Sequence, residues 1–131
     1  MSIHARVRQH RFPRQQRLKK KKLIDALFQQ GRQEKLYPIL FFYHPNPDPS
    51  TKNHQVLFSV PSKVFRKAIE RNKIKRKLRE AYRINKHLIM DNLNSDVSFL
   101  LGYVYISRTI LPYKEIEKQV LASFNIIRKF V

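Results

Sequence analysis

Cysteine is absent from this 131-residue sequence, and glycine and acidic residues are scarce. Without cysteine the chain has neither disulfides nor thiolate sites, and nothing indicates an oxidising compartment, so we expect a cytoplasmic protein. The two glycines, Gly31 and Gly102, are too few for a glycine-rich phosphate-binding loop. No apolar run approaches the roughly 20 residues that a membrane-spanning helix requires. These absences exclude a disulfide scaffold, a thiol enzyme and a nucleotide-binding loop protein.

The acidic residues are also too scattered for a protein-based nuclease. The nine Asp and Glu are spread along the chain without a local cluster, whereas metal-assisted hydrolysis needs carboxylates that converge on the ions. The five histidines show no spacing typical of metal ligands. We therefore expect no catalytic residue in this chain and no metal or cofactor held by the protein alone.

Positive charge dominates the sequence. There are 28 Lys and Arg, and the formal net charge is +19. Nine of these cations lie in residues 1–22 without an acid, and eleven lie in residues 63–86 with two. Such an excess repels itself in the folded state. A polyanionic partner is therefore the first hypothesis.

The pattern of apolar residues predicts one domain preceded by an arm. Residues 1–17 have few apolar side chains and no periodicity, which is typical of a flexible basic arm, and residues 18–131 suffice for a single domain. The predicted elements, in chain order, are a helix that ends at Gly31 in the left-handed conformation, a buried strand at 36–43, a strand at 56–60, a helix at 63–89, a strand at 97–106 and a helix after Pro112. This order predicts an α+β or split β-α-β fold with helices against one small sheet.

The helix at 71–83 has two different faces. Ile74, Leu78 and Ala81 share one face with Asn85 and Leu88, as expected of a stripe that packs on a core. The opposite face carries Asn72, Arg76, Arg79 and Arg83, with Lys73 and Lys75 on its flanks. Like charges on one face destabilise a helix unless a partner neutralises them, and guanidinium groups bind phosphate bidentately. This face predicts a nucleic-acid interface.

RNA fits the sequence better than DNA or a membrane. A helix that reads the DNA major groove usually carries short polar readers, and Asn72 is the only one on this face. RNA offers unstacked bases to aromatic side chains, of which the chain has nine Phe and six Tyr. A membrane-surface helix would need Ile74 and Leu78, which the core requires. We therefore expect an RNA partner, and neither DNA nor a membrane.

The run KVFRKAIERNKIKRKLREAYR, residues 63–83, resembles the signature of the bacterial ribonuclease P protein subunit. That signature pairs a Lys and an Ala-apolar step with an Arg-Asn-Arg-apolar-Lys-Arg core. The matching positions are Lys63, Ala68, Ile69, Arg71, Asn72, Ile74, Lys75, Arg76, Leu78 and Arg79. Lys73 stands where the family usually has Arg, which keeps the charge but not the planar fork. The basic arm, the first helix, the aromatic strand and the closing helix also resemble the family.

The resemblance implies a fold, a function and two binding surfaces. The fold would be a small sheet with an unusual left-handed β-α-β crossover, packed by helices. The protein would be an accessory subunit of the ribonucleoprotein that removes 5′ leaders from precursor tRNA, while the catalytic RNA subunit binds most of the Mg²⁺. The residues implied in binding the RNA subunit are Lys63, Arg71, Asn72, Lys73, Lys75, Arg76, Arg79 and Arg83. Those implied in binding the leader, in a cleft between the first helix and the sheet, are Phe28, Phe42 or Tyr43, and Ser59.

A structural ribosome-associated RNA-binding protein is the alternative. It would share the charge, the arm and the small sheet, but it would need no open aromatic cleft. Specific protection of precursor tRNA over mature tRNA would separate the two functions.

Overall fold

A computed structural model describes residues 14–48, 53–90 and 98–130. The elements in chain order are a 3-10 turn (Arg14–Gln16), α1 (Lys21–Gln30), β1 (Arg32–Leu36), β2 (Ile39–Pro45), β3 (Gln55–Ser59), α2 (Ala68–Asn85), the short α3 (His87–Met90), β4 (Phe99–Tyr105) and α4 (Tyr113–Arg128). Residues 1–13 of the predicted arm lie outside the described residues. Its last residues pack on the domain, because Arg17 forms a parallel bridge to Val56 and Lys86 Nζ donates to Gln16 Oε1 at 2.8 Å.

The four strands form one sheet in the order β1-β2-β4-β3. β2 is antiparallel to both β1 and β4, and β3 is parallel to β4. The chain passes from β3 through α2 to β4, so these elements form a β-α-β crossover. The predicted α+β class, with one small sheet packed by helices, is confirmed. The left-handed sense of the crossover stays a prediction.

The aromatic run at 36–43 is not the single strand that its composition predicts. Leu36 ends β1, Tyr37 and Pro38 form a turn with a cis peptide bond, and Ile39 begins β2. β1 pairs with only one strand and lies at the edge of the sheet, where its residues Arg32 to Lys35 are exposed. A polar edge strand lacks the apolar alternation that identifies strands in a sequence, which is why β1 was not predicted.

The basic helix is shorter than the predicted 63–89. The backbone N–H groups of Val64 and Phe65 donate to the carbonyl of Pro61 and form a turn, and α2 begins only at Ala68. Arg71 Nη1 holds this turn by donating to the carbonyl oxygens of Phe65 and Arg66, each at 2.8 Å. The first residues of the signature are therefore a turn fixed by an arginine of the helix.

Gly31 follows α1, as predicted, but not in the left-handed conformation. Its φ is −71° and its ψ is 158°, which is extended backbone open to any residue. The need for glycine comes from space, since a Cβ at this position would lie 2.2 Å from the carbonyl oxygen of Leu27. Glycine is thus needed here because the chain passes close to the last turn of α1, and not because of the predicted positive φ.

The two faces of the sheet are covered unequally. One face packs against α2 and α4 and forms the main core, in which Ile74, Leu78 and Ala81 are fully buried, which confirms this part of the predicted core stripe. The other two members of the predicted stripe are half-buried, and one of them, Leu88, lies in α3 and not in α2. The other face packs against α1 through a smaller cluster centred on Leu27 and Leu100. A ten-residue helix spans about 15 Å and leaves part of that face open.

Candidate nucleic-acid interface

The basic face of α2 points away from the core. α2 carries seven Lys and Arg against two Glu in 18 residues. Asn72, Lys73, Arg76 and Arg79 are exposed, while Lys75 and Arg83 are half-buried. The predicted separation of an apolar face from a basic face is present, and the exposed side chains form one row along the helix.

Two adjoining cavities lie along this row. Ile69, Asn72, Lys73 and Arg76 line a cavity of about 190 Å³ near the start of α2. A larger groove of about 500 Å³ is lined by Arg76, Lys77, Arg79, Glu80, Arg83 and Tyr113. Arg76 borders both cavities, and the larger one lies between α2 and Tyr113, the first residue of α4. Concave positive surfaces concentrate anions.

Three of the residues that were predicted to contact the RNA subunit lie outside this exposed row. Arg71 is half-buried and donates to the carbonyl oxygens of the turn before α2. Lys63 is exposed in that same turn and lines neither cavity. Arg83 forms a bidentate ion pair with Glu80, at 2.6 Å from Nη2 to Oε1 and 3.2 Å from Nε to Oε2.

Glu80 affects both the charge and the position of the Arg83 side chain. The hydrogen bond from Arg83 to the Glu80 carboxylate raises the pKa of the guanidinium, and so stabilises a charge that arginine carries in any case. The pair is partly exposed, and its contribution to stability is modest. Its main effect is to hold the Arg83 side chain at the edge of the groove and to neutralise the acid there.

A second candidate site lies between α1 and the open face of the sheet. The rings of Phe28 and Phe42 meet edge to face, with centroids 4.8 Å apart and planes at 74°. Phe28 is 37% exposed, and Phe42 is half-buried. Gly102 pairs with Phe42, and a Cβ there would lie 3.0 Å from Leu27 Cδ2. Glycine at this position lets α1 approach the sheet.

The open part of this face continues from the two rings along the strands. Side chains alternate between the faces of a sheet, so Leu40, Ser59 and Val104 lie on the same face as Phe42. Val104 pairs with both Leu40 and Ser59, and all three are half-buried. None of them belongs to the cluster under α1. The structure thus places Phe42 and Ser59 on one face of the sheet and Phe28 against Phe42. We call the open strip beside α1 the cleft.

Tyr43 does not lie in this cleft. As the neighbour of Phe42 in β2, it points to the opposite face of the sheet and is only 6% exposed. Its ring packs 5.5 Å from Phe41 and 5.8 Å from Phe130. Of the two residues that the expectation named, only Phe42 faces the cleft, because adjacent residues of a strand point to opposite faces of the sheet. Binding of the leader by Phe42 stays a prediction.

Tyr113 lines the candidate interface, although the sequence did not identify it. It follows Pro112 at the first position of α4 and lines the groove beside the arginines of α2. The sequence places it far from the basic helix, and only the packing of α4 on α2 brings them together. Pro112 predicted where the helix begins but not what its first side chain faces.

The described residues contain no group of three or more His, Cys, Asp and Glu arranged to hold a metal ion. No helix in the described ranges combines the length and the apolar character needed to cross a membrane.

Comparison with known proteins identifies one consistent set of relatives. The family model named Ribonuclease P matches residues 12–126. The ribonuclease P protein component of Porphyromonas gingivalis is 31% identical over 96 residues, which cover 72% of this chain and 70% of the relative. That of Chlorobaculum tepidum is 31% identical over 109 residues, covering 77% and 71%.

Solved structures show the same fold. The RNase P protein from Thermotoga maritima superposes with a TM-score of 0.67 at 19% identity, covering 84% of this chain and 96% of that one. The Staphylococcus aureus RNase P protein gives a TM-score of 0.65 at 19% identity, covering 86% and 94%.

Proposed function

Because the chain belongs to the ribonuclease P protein family, a family of tRNA processing with an RNA partner, we propose that it is the accessory subunit of the ribonucleoprotein that removes 5′ leaders from precursor tRNA. In this proposal the RNA subunit carries out the cleavage, and the protein alone is inactive. The protein binds the RNA subunit through α2 and the leader through the cleft beside α1.

The observation that carries the proposal is the exposed basic row of α2. Asn72, Lys73, Arg76 and Arg79 are exposed together along the family signature. RNA phosphates would neutralise the repulsion between these side chains and release counterions on binding. The residues assigned to the RNA subunit are the exposed row, Lys75 and Arg83 on its flanks, and Lys63 in the turn. Arg71 supports this surface by fixing the turn.

The leader is assigned to the cleft formed by Phe28, Phe42 and the open strip of the sheet. A single strand exposes base faces, and aromatic side chains bind these faces with little dependence on sequence. Phe28 offers a partly exposed ring at the cleft, and Ser59 adds a hydroxyl group that can donate or accept a hydrogen bond. Tyr43 lies on the other face and takes no part.

Mg²⁺ is assigned mainly to the RNA. This ion prefers several oxygen ligands in octahedral geometry, and the acidic residues of the described segments do not gather into such a set. The chemistry that the ion would supply at the scissile phosphate is stabilisation of charge and activation of water. The role of the protein is to reduce repulsion between the two RNAs and to hold the leader in place.

The test compares the affinity of the holoenzyme for precursor and mature tRNA. We expect the full-length protein, bound to a bacterial ribonuclease P RNA, to increase affinity for precursor tRNA selectively. Equal effects on both tRNAs would contradict leader binding and favour a ribosome-associated protein. The aromatic cleft beside α1 favours the first outcome, since a purely structural basic protein does not need it.

A further inference from the structure

We propose, on the premise of the function above, that the groove between α2 and α4 binds one unpaired nucleotide of the RNA subunit, with the base stacked on Tyr113 and the phosphate held by Arg76 and Arg79. The ligand is thus a nucleotide extruded from a loop or bulge, rather than the backbone of a continuous duplex. This assigns Tyr113 a binding role and predicts the local structure of the RNA that it meets.

The groove has the size and the composition that such a ligand requires. Its volume of about 500 Å³ lies within the ~300–1,000 Å³ typical of small-molecule sites. Tyr113 contributes the only aromatic ring of the lining, and the other lining residues are on α2. A base inserted here would meet a ring on one side and cations on the other.

The ring of Tyr113 is held in place before any ligand binds. Its hydroxyl group donates to Glu117 Oε2 at 3.0 Å. The same oxygen accepts from Asn85 Nδ2 at 3.1 Å, and this amide also donates to the carbonyl of Ala81 at 2.9 Å. Both helices therefore fix the ring, which lowers the entropy lost on stacking.

The hydroxyl group of Tyr113 remains a donor at neutral pH. Burial and the hydrogen bond to Glu117 raise the pKa of Tyr113 to about 12. The ring therefore stays uncharged and adds no repulsion toward a phosphate.

Two arginines of the groove are available to bind a phosphate. Lys77 Nζ donates to the carbonyl of Leu111 at 3.1 Å, and Arg83 is paired with Glu80. Arg76 and Arg79 are exposed and form no ion pair within the described part of the chain. They stand three residues apart, which places them on the same side of a helix. Two guanidinium groups at this spacing can share one phosphate.

The position of the ring explains why the nucleotide has to be unpaired. In a continuous A-form helix the base faces are covered by their neighbours, and proteins reach mainly phosphates and 2′-hydroxyls. A ring that lines a groove beside cations can contact a base face only when that base has left its stack. We expect each such stack to contribute about 1–3 kcal/mol, or roughly 5- to 150-fold in affinity.

The test measures binding of a bacterial ribonuclease P RNA by the full-length wild-type protein, Tyr113→Phe and Tyr113→Leu. Leucine keeps apolar packing but removes the aromatic face, so we expect Tyr113→Leu to weaken binding about 10-fold. Tyr113→Phe keeps the face but loses the hydrogen bond to Glu117 that holds the ring, so it should bind somewhat less tightly than the wild type and more tightly than Tyr113→Leu. Chemical probing should show an unpaired nucleotide that wild type and Tyr113→Phe protect and Tyr113→Leu does not.

The salt dependence separates stacking from charge. Tyr113→Leu removes no cation and should leave the slope of log K against log salt unchanged. Arg79→Ala should reduce that slope by about 0.7–0.9 for one lost phosphate contact. Tyr37→Leu is the matched control, because it makes the same substitution at a tyrosine that is 55% exposed and lies outside the groove.

Wild-type affinity and protection in a folded Tyr113→Leu protein, with a reduced slope in Arg79→Ala, would overturn the stacking inference and leave the proposed function intact. Failure of the wild-type protein to bind the RNA subunit would overturn the proposed function itself. If Tyr113→Leu does not fold, the same measurement is made with Tyr113→Ala, which also lacks an aromatic face. Continued full protection of the nucleotide by a folded Tyr113→Ala protein contradicts the inference.

Discussion

The ring of Phe28 on α1 meets the ring of Phe42 on β2 edge to face, with centroids 4.8 Å apart. Gly102 on the neighbouring strand lets α1 lie this close to the sheet, because a Cβ at this position would lie 3.0 Å from Leu27 Cδ2. The pair marks the boundary between the part of the sheet that α1 covers and the part that it leaves open. The cleft assigned to the leader therefore begins at this aromatic contact.

Phe28→Ala should reduce the affinity of the holoenzyme for precursor tRNA roughly 10-fold, which is within the range of one base–aromatic stack. Affinity for mature tRNA should not change, since that RNA lacks the leader. Phe130→Ala is the matched control, because Phe130 is also partly exposed but packs on Tyr43, on the opposite face of the sheet. An equal loss for both tRNAs would contradict the assignment of the cleft.

Arg76→Glu should weaken assembly with the RNA subunit at moderate salt by roughly 10-fold or more, because it replaces a phosphate contact by repulsion. Lys118→Glu makes the same change of charge at an exposed position of α4 that lines neither cavity, and it should have a much smaller effect. Filter binding at several salt concentrations measures both. Similar losses in the two variants would mean that net charge, and not the row on α2, determines binding.

Gly31→Ala should lower the free energy of unfolding by about 1–3 kcal/mol, the usual effect of overpacking. The new Cβ would lie 2.2 Å from the carbonyl oxygen of Leu27, so the end of α1 would have to move. Gln30→Ala, at an exposed position of the same turn, should leave stability nearly unchanged. Urea unfolding measures both, and unchanged stability of Gly31→Ala would show that the chain after α1 can shift freely.

His54 should make stability depend on pH. Its side chain is 3% exposed, and its Nδ1 accepts a hydrogen bond from the backbone N–H of Phe99 at 2.9 Å. Burial lowers the pKa of His54 from 6.5 to about 4. The unfolded chain therefore binds a proton between these values while the folded chain does not. Stability is fully present above pH 6.5 and falls as the pH drops toward 4, by about 3 kcal/mol for this group.

Urea unfolding at several pH values tests the role of His54 against two variants. His54→Asn should lose most of this dependence between pH 6.5 and 4. His87→Gln, at an exposed position, should keep it. The same pH profile in wild type and His54→Asn would assign the dependence to other groups.

The sequence predicted α2 well because the helical pattern extends over many residues and the two faces of the helix are chemically distinct. Ile74 and Leu78 are buried and Arg76 and Arg79 are exposed, as the helical wheel requires. The N-terminal limit of the helix was wrong because Arg71 ties down the preceding turn through backbone carbonyls, a tertiary contact that apolar periodicity does not report.

The sheet was predicted less completely. β1 consists mostly of polar, exposed residues, so pairing with β2 and not composition makes it a strand. Phe42 and Tyr43 look equivalent in sequence, and only the direction of β2 relative to α1 decides which ring faces the cleft. Tyr113 could not be identified, because its position beside Arg79 depends on how α4 packs on α2.

The most direct measurement is cleavage of a precursor tRNA by a bacterial ribonuclease P RNA at low Mg²⁺, with and without this protein. We predict that the protein restores removal of the 5′ leader under conditions in which the RNA alone is slow, and that Arg76→Glu restores much less. Binding of the RNA by the wild-type protein without any gain in cleavage would contradict the account and favour a ribosome-associated RNA-binding protein.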